Sequence, residues 1–443
     1  MVVGHGPAPV TPHGGSLDAG APAGLDGFDA RLPEVTALVE RLRRTPELGY
    51  HEHRTAAAVV EWITRVAPGS RVERFARTGV RVRLGSGRGR TVAIVAELDA
   101  LIVPAHPDAD PLTGAVHACG HHTQVGIACT LFAHYAGGHD LPFDLVFVWV
   151  PAEEYVDLDR RSRLREAGEI GWFGGKPEAM RLGVFDDVDA AVLVHAMGGG
   201  YAVPTVELDC DLAGFLYKHV TFHGTASHAG FDPFSGVNAA SMATLYTVAI
   251  GLGRQQVRDD VLARLNPVIT SDAMTTNVIP DRCRVSTDVR TVDLDAMAGL
   301  SRRLDAMAAG AALAFGGRAE IDTEVGYLPF RQHRDLSQAW RSAYLAGSRG
   351  VAALLDDRGG AAAAGDVGDL SYLLPCVQLG YSGFSGTVHG RDFALTEPEF
   401  VLAAFPRFVA AGLERLGDRL GTVYRRSYDD YVAEVRRIAA AAG

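Results

Sequence analysis

FDLVFVWVPAEE, residues 143–154, is the stretch on which the fold turns. Leu145 to Val150 are all apolar, and two adjacent carboxylates follow almost at once. An apolar run of this length, with no alternation, marks a strand covered on both faces, as in a parallel sheet packed under helices. Two other stretches are built the same way: TVAIVAELDA (91–100) runs into Glu97 and Asp99, and DAAVLVHAM (189–197) reaches His195. Apolar residues at helical spacing predict helices over 32–44, 53–67 and 123–136, while VRVRLGS (80–86) alternates as a half-exposed strand. Apolar strands with polar carboxyl ends, alternating with helices, predict an open α/β sheet whose ligands gather outside the strand ends.

The middle of the chain changes period. LYKHVTFHGTASHAG (216–230) alternates, 236–253 is helical, 266–280 and 282–291 are strand-like, 294–316 is helical, and 318–326 closes as a strand. That order predicts a small α+β domain of ferredoxin-like type over 212–326, inserted into a larger domain formed by 27–211 and 327–443. Residues 1–26, rich in Gly, Pro and Ala, read as a flexible leader without the basic start and apolar region of a signal peptide. GGAAAAG (359–365) reads as a short loop.

A length of 443 residues suits two domains better than one core. The formal net charge of −11 argues against the basic face of a nucleic-acid binder. No run of about 18 apolar residues occurs, so no membrane span is expected. Five cysteines, odd in number and far apart, make a poor disulfide framework and suit a reducing compartment, so a cytoplasmic location is expected.

GAVHACGHHTQVG (114–126) sets His117, Cys119, His121 and His122 close together. It is either a histidine-rich polar turn or part of a metal site. Cys119 and His121 stand two apart and can face one point. Glu153 and Glu154 end a buried strand, where carboxylates need a cation or strong hydrogen bonds. His195 ends the next strand, and His389 lies in GTVHGRDF (386–393). Zinc-type ions take thiolate, imidazole and carboxylate ligands. Each residue alone has an ordinary explanation, a lone cysteine as core filling or a Glu pair as a solvated edge. Their joint appearance at three successive segment ends favours the metal. Adjacent glutamates can then divide the work, one holding an ion and one serving as general base on a water.

AELDAL…HACGHHTQVG, VPAEE, GGKPEAMRLGVFDDVDAAVLVHAM, FHGTASHAGFDPFSGVNAA, GDVGDLSYLLPCVQLG and TVHG follow one another, with RRTPELGYHEHRTAA (43–57) near the start. Together these seven motifs resemble the aminoacylase/carboxypeptidase family of two-metal peptidases, nearest its amidohydrolase branch of aminobenzoyl-glutamate hydrolase type, over about residues 28–415. The resemblance implies a zinc-peptidase-like catalytic domain with a dimerisation and lid domain inserted in it, and a homodimer. It implies two divalent ions, zinc first with manganese or cobalt as alternatives, held by Cys119, His121, Glu154, His195 and His389. Glu153 matches the base, Asp99 the aspartate that orients a ligand, and His228 the inserted-domain histidine that steadies the scissile carbonyl oxygen. Asn277 and Arg290 match positions associated with substrate polar groups, though Arg290 could instead pair with Asp288.

The implied activity is hydrolysis of the amide bond of an N-acyl amino acid or related small amide. A dipeptidase or carboxypeptidase with the same site, or a non-catalytic ligand-binding member, is the alternative. His122 stands where relatives carry Asn or Asp and is open between a ligand, a substrate contact and a simple helix-start residue. Asp366 is open between a place near the metals and turn chemistry. Insertions near 102–113 and 155–172 leave the substrate undefined.

Overall fold

The computed structural model describes residues 27–87, 89–270, 275–347, 350–421 and 423–440. The leader expected over 1–26 lies outside the described residues. Two compact units make up the chain: one of residues up to 210 with 332–359 and 370–426, the other of 211–331, 360–369 and 427–443.

The first unit is built on an eight-stranded mixed sheet, in the order Val72–Phe75, Gly79–Leu84, Asp144–Val150, Thr91–Glu97, Ala190–Ala196, Cys376–Tyr381, Thr205–Leu212 and Ala353–Ala361. The three apolar strands expected from the sequence lie side by side and parallel, with Cys376–Tyr381 as a fourth parallel member. Parallel pairing in close register sets Glu97 beside Val150 and Gly380 beside His195. It therefore delivers the carboxyl ends of all these strands, and the polar residues that follow them, to one edge.

Every residue of Thr91–Glu97 and Asp144–Val150 is buried. The His121–Ala136 helix is buried at all positions but Ala136, which explains why its sequence carries no Asp, Glu, Lys or Arg on any face. Ile94, Phe132, Phe147, Trp149 and Val192 belong to the core between sheet and helices.

The second unit carries a four-stranded antiparallel sheet in the order Ala263–Thr270, Arg282–Thr291, Gly214–His223 and Arg318–Tyr327, with helices Ala239–Gly253 and Leu294–Phe315. The alternation read in the sequence has its cause here. Leu216, Val220 and Phe222 are buried, while Tyr217, His219 and Thr221 are only partly covered. Each helix starts at a side-chain cap, Asn238 for the first and Asp293 for the second, which satisfies otherwise orphaned N–H groups.

Two features depart from the sequence reading. The second unit takes in 360–369 and 427–443 besides the expected inserted segment. Gly359 to Ala361, read as loop, close the Ala353–Ala361 strand. Small residues carry little intrinsic strand preference, and here the neighbouring backbone decides: Ala213 N–H donates to Ala361 O at 2.9 Å.

Within the second unit, Asp369 is fully buried and accepts from Tyr431 Oη at 2.9 Å and from Leu328 N at 3.3 Å. Burial, and after it the charge of Asp366, raises its carboxyl well above the usual carboxylate range. A group whose pKa is raised by folding stabilises the fold fully below its unfolded value, and that contribution is lost as pH rises through the folded value. Asp369→Asn keeps the acceptor oxygen and removes the titration. Its melting temperature is expected to gain on wild type as pH rises from the acid side of the ordinary carboxylate range to neutrality, by about 2–4 °C per kcal/mol. A gap that is the same at every pH would show that Asp369 titrates normally.

Candidate metal centre

The strand edge of the first unit gathers Cys119, His121, Glu153, Glu154, His195 and His389. Cys119, His121 and His195 have one ligand atom each within 4.8 Å of one another, and so do Cys119, Glu154 and His389. Cys119 belongs to both groups. Its Sγ lies 3.4 Å from His195 Nε2 and 3.3 Å from His389 Nε2.

Local backbone geometry makes this possible. Gly120, between Cys119 and His121, has φ +91° and starts the His121–Ala136 helix, and a Cβ there would lie 2.7 Å from Ala196 Cβ. Only glycine takes this turn without strain or a clash. Gly120→Ala is expected to cost about 2 kcal/mol or more through its left-handed backbone and the Ala196 contact. Urea denaturation would show this as a lower midpoint, and an unchanged midpoint would contradict the geometry. His389 also has a left-handed backbone, φ 65°, held by its N–H on Ala118 O at 2.8 Å. Such strain gathers at functional sites.

Asp99 organises two of the neighbouring groups. Its Oδ1 is 3.2 Å, and its backbone oxygen 2.9 Å, from His121 Nδ1, and its Oδ2 accepts from Glu154 N at 2.9 Å. His121 is thereby turned with Nε2 into the site. That nitrogen is buried and has no hydrogen-bond partner, although Glu97 Oε2 is 3.0 Å and Glu153 Oε2 3.8 Å away. Glu154 Oε1 is likewise orphaned, with His389 Nε2 at 3.2 Å. Buried atoms at ion-pair distance but without hydrogen-bond geometry are set toward a common point, as ligand atoms are. Burial, then the Glu154 charge, pushes the Cys119 thiol well above its ordinary value. A coordinated cation acts the other way and deprotonates a thiol. The residues present therefore fit divalent metal.

Glu52 is a residue the sequence reading passed over. It is buried, accepts Ala152 N at 2.8 Å on one oxygen and Thr78 Oγ1 at 2.6 Å on the other, and burial followed by the Asp99 charge raises it to about 7. Ala152, just before the glutamate pair, has φ 55°, so Glu52 pins a strained turn that sets Glu153 and Glu154. Its signal lay in YHEHRT, where exposed His51 and His53 flank it.

The other sequence candidates are placed as follows. His122 is buried beside His117, ring centroids 5.0 Å apart, and both line a cavity of about 240 Å³ with Glu40, Arg43 and Asp108. Burial, then the His121 charge, lowers His122 to about 3. The insertion near 155–172 folds back as the Leu158–Glu166 helix, and its buried Arg161 donates to Phe173 O at 2.8 Å. Four residues lie in the second unit. His228 Nδ1 accepts from Phe231 N at 3.0 Å, and the adjacent Ala229 N donates to Asn277 O at 3.0 Å, which brings His228 and Asn277 together. Arg290 pairs with Asp288 at 2.9 Å, the alternative held open from the sequence. Asp366 is buried close to Asp369.

The M20-type peptidase dimerisation domain matches residues 212–314. Over that segment the chain is similar to the M20 peptidases. An N-acetyldiaminopimelate deacetylase from Halalkalibacterium halodurans is 24% identical over 299 residues, covering 67% of this chain and 76% of that protein. A deacetylase of the same name from Leuconostoc mesenteroides is 27% identical, with coverage of 67% and 76%. Among solved structures, a dinuclear metal-binding M20 peptidase from Bacillus subtilis shares the fold with a TM-score of 0.67, 19% identity, and coverage of 88% of this chain and 99% of that one. An aminobenzoyl-glutamate utilization protein from Klebsiella pneumoniae does so at TM-score 0.59, 19% identity, and coverage of 88% and 98%. The M20 resemblance read from the seven motifs stands, as does the architecture of a mixed-sheet domain with a dimerisation domain inserted in it. The five cysteines are free, and among the described residues no helix is long and apolar enough to cross a membrane.

Proposed function

We propose that the protein is a metal-dependent amidohydrolase that cleaves the amide bond of an N-acyl amino acid or a related small amide. The observation that carries this reading is the pair of ligand groups meeting at Cys119, with the buried Glu153 carboxylate beside them. Cys119, His121 and His195 would hold one divalent ion, and Cys119, Glu154 and His389 a second, with Cys119 shared. A soft thiolate with imidazoles leans toward zinc. When bound, the ions supply Lewis acidity toward the scissile carbonyl and lower the pKa of water.

This chain's own side chains do the rest. Glu153 accepts the proton of the attacking water and returns it to the leaving amine. His228 donates to the carbonyl oxygen as it gains negative charge. Asn277 and Arg290 bind substrate polar groups, and Asp99 holds His121 in position. The catalytic domain is read as 27–211 and 327–443 and the lid and dimerisation insert as 212–326, with 360–369 and 427–443 joining the insert's compact unit. The relatives named N-acetyldiaminopimelate deacetylase support an N-acyl amino acid as substrate, and a cytoplasmic location suits such a metabolite. The dimerisation domain supports a homodimer. So do the edge strand Ala263–Thr270, with Val268 and Ile269 exposed, and the exposed Leu245, Val248 and Leu252 of the Ala239–Gly253 helix.

The test is to load the chain with zinc or manganese and assay a panel of N-acetyl amino acids beside dipeptides. Release of free amino acid from the acyl substrates is the expected result. A metal-loaded protein that hydrolyses no amide in the panel would overturn the reading in favour of ligand binding alone.

A further inference from the structure

Glu97 ends the Thr91–Glu97 strand at the metal centre and is buried. Its carboxylate is clamped. Lys176 Nζ lies 2.6 Å from Oε1, and Gln124 Nε2 donates to Oε2 at 2.8 Å. Lys176 is itself fully buried, in the short Gly175–Arg181 helix. That helix is docked without slack: Gly175 N donates to Ala152 O at 3.1 Å, and a Cβ at Gly175 would fall 1.6 Å from Pro151 O. The ammonium is therefore fixed relative to the backbone that carries Glu153 and Glu154.

A buried ion pair would be complete with Lys176 and Gln124 alone, yet Glu97 Oε2 also lies at ion-pair distance, 3.0 Å, from His121 Nε2, which makes no hydrogen bond. The other nitrogen of His121 is taken by Asp99, so Nε2 is the one left for an ion, and Glu97 stands on that side. Glu97, His121 and Glu153 form a third group with ligand atoms within 4.8 Å of one another.

We propose that Glu97 is a further metal ligand, joining His121 on the ion that His121 holds, and that Lys176 and Gln124 are positioning residues that fix its carboxylate. The assignment rests on the metal-centre reading above. It gives the buried lysine a purpose: Lys176 supplies the counter-charge while the metal is away and stops the carboxylate from turning when it binds.

Zinc titration of the chelator-stripped full chain, followed by calorimetry and elemental analysis, tests this. Wild type should take up about two ions per chain. The double variant Glu97→Leu/Lys176→Met removes both charges, so no unpaired ion is left buried. It should keep one zinc of wild-type affinity and bind the other at least about ten-fold more weakly. Lys176→Met alone should melt lower than wild type without metal and gain more from zinc than wild type does, because the cation takes over the missing counter-charge. A double variant that titrates like wild type would overturn the assignment alone. So would a zinc-induced rise in Lys176→Met no larger than that of wild type, which decides the matter if the double variant does not fold. A wild type that binds no zinc would overturn the metal-centre reading and this assignment with it.

Discussion

Glu153→Gln should hold its metal and lose its activity. The substitution keeps size and hydrogen-bonding capacity but takes away the basic oxygen. Glu153 is buried, next in sequence to Glu154, with Oε2 3.8 Å from His121 Nε2. It is placed to take a proton from a water at the centre, while the two groups that share Cys119 do not include it. General base catalysis contributes about 10²–10⁴-fold, so kcat for N-acyl amino acid hydrolysis is expected to fall by roughly that factor with the metal content unchanged. Loss of metal together with activity would make Glu153 a ligand. Full activity in the variant would remove it from the mechanism.

Cys119→Ala should have the opposite signature, failing first in metal binding. Cys119 is shared by the two ligand groups proposed to hold the ions, so its removal strips a donor from both. Elemental analysis is expected to find well under the wild-type metal content, and hydrolysis should fall toward background. The thermal shift on adding zinc should also shrink, because a ligand stabilises the folded state only in proportion to how far its concentration exceeds its dissociation constant. Alanine in place of this small buried side chain costs little packing, so the metal-free melting temperature should move far less than the metal-loaded one. Wild-type metal content in Cys119→Ala would show that the thiol is core filling, the ordinary role a lone buried cysteine has.

Much of the centre was legible because its residue types are unusual where they stand. Cys119, His121, Glu153, Glu154 and His195 follow apolar strands or open a helix, where burial leaves little room for polar atoms without a purpose. The supports were harder to read. Lys176 looks in the sequence like any lysine near a helix start. Glu52 lies between two exposed histidines, and nothing in YHEHRT says that its carboxylate reaches Ala152, 100 residues away. Arg290, a side chain suited to a substrate carboxylate, also pairs with Asp288 two positions back on its strand, which its place in the sequence left open. His122, two positions past Gly120, turns its ring onto His117 and lines a cavity with Glu40, Arg43 and Asp108.

The sequence by itself determined the alternation of apolar strands and helices, the change to period two in the inserted segment, and the residue types fit to hold an ion. These are local properties, since burial on one face or two leaves its period in neighbouring residues. Tertiary structure decided which polar atoms meet. The parallel register that aligns Glu97 with Val150 and His195 with Gly380, the left-handed turns at Gly120, Ala152 and His389, and the docking of Lys176 beneath Glu97 join residues far apart in the chain. No local period records such meetings, because they depend on how separately formed elements pack against one another.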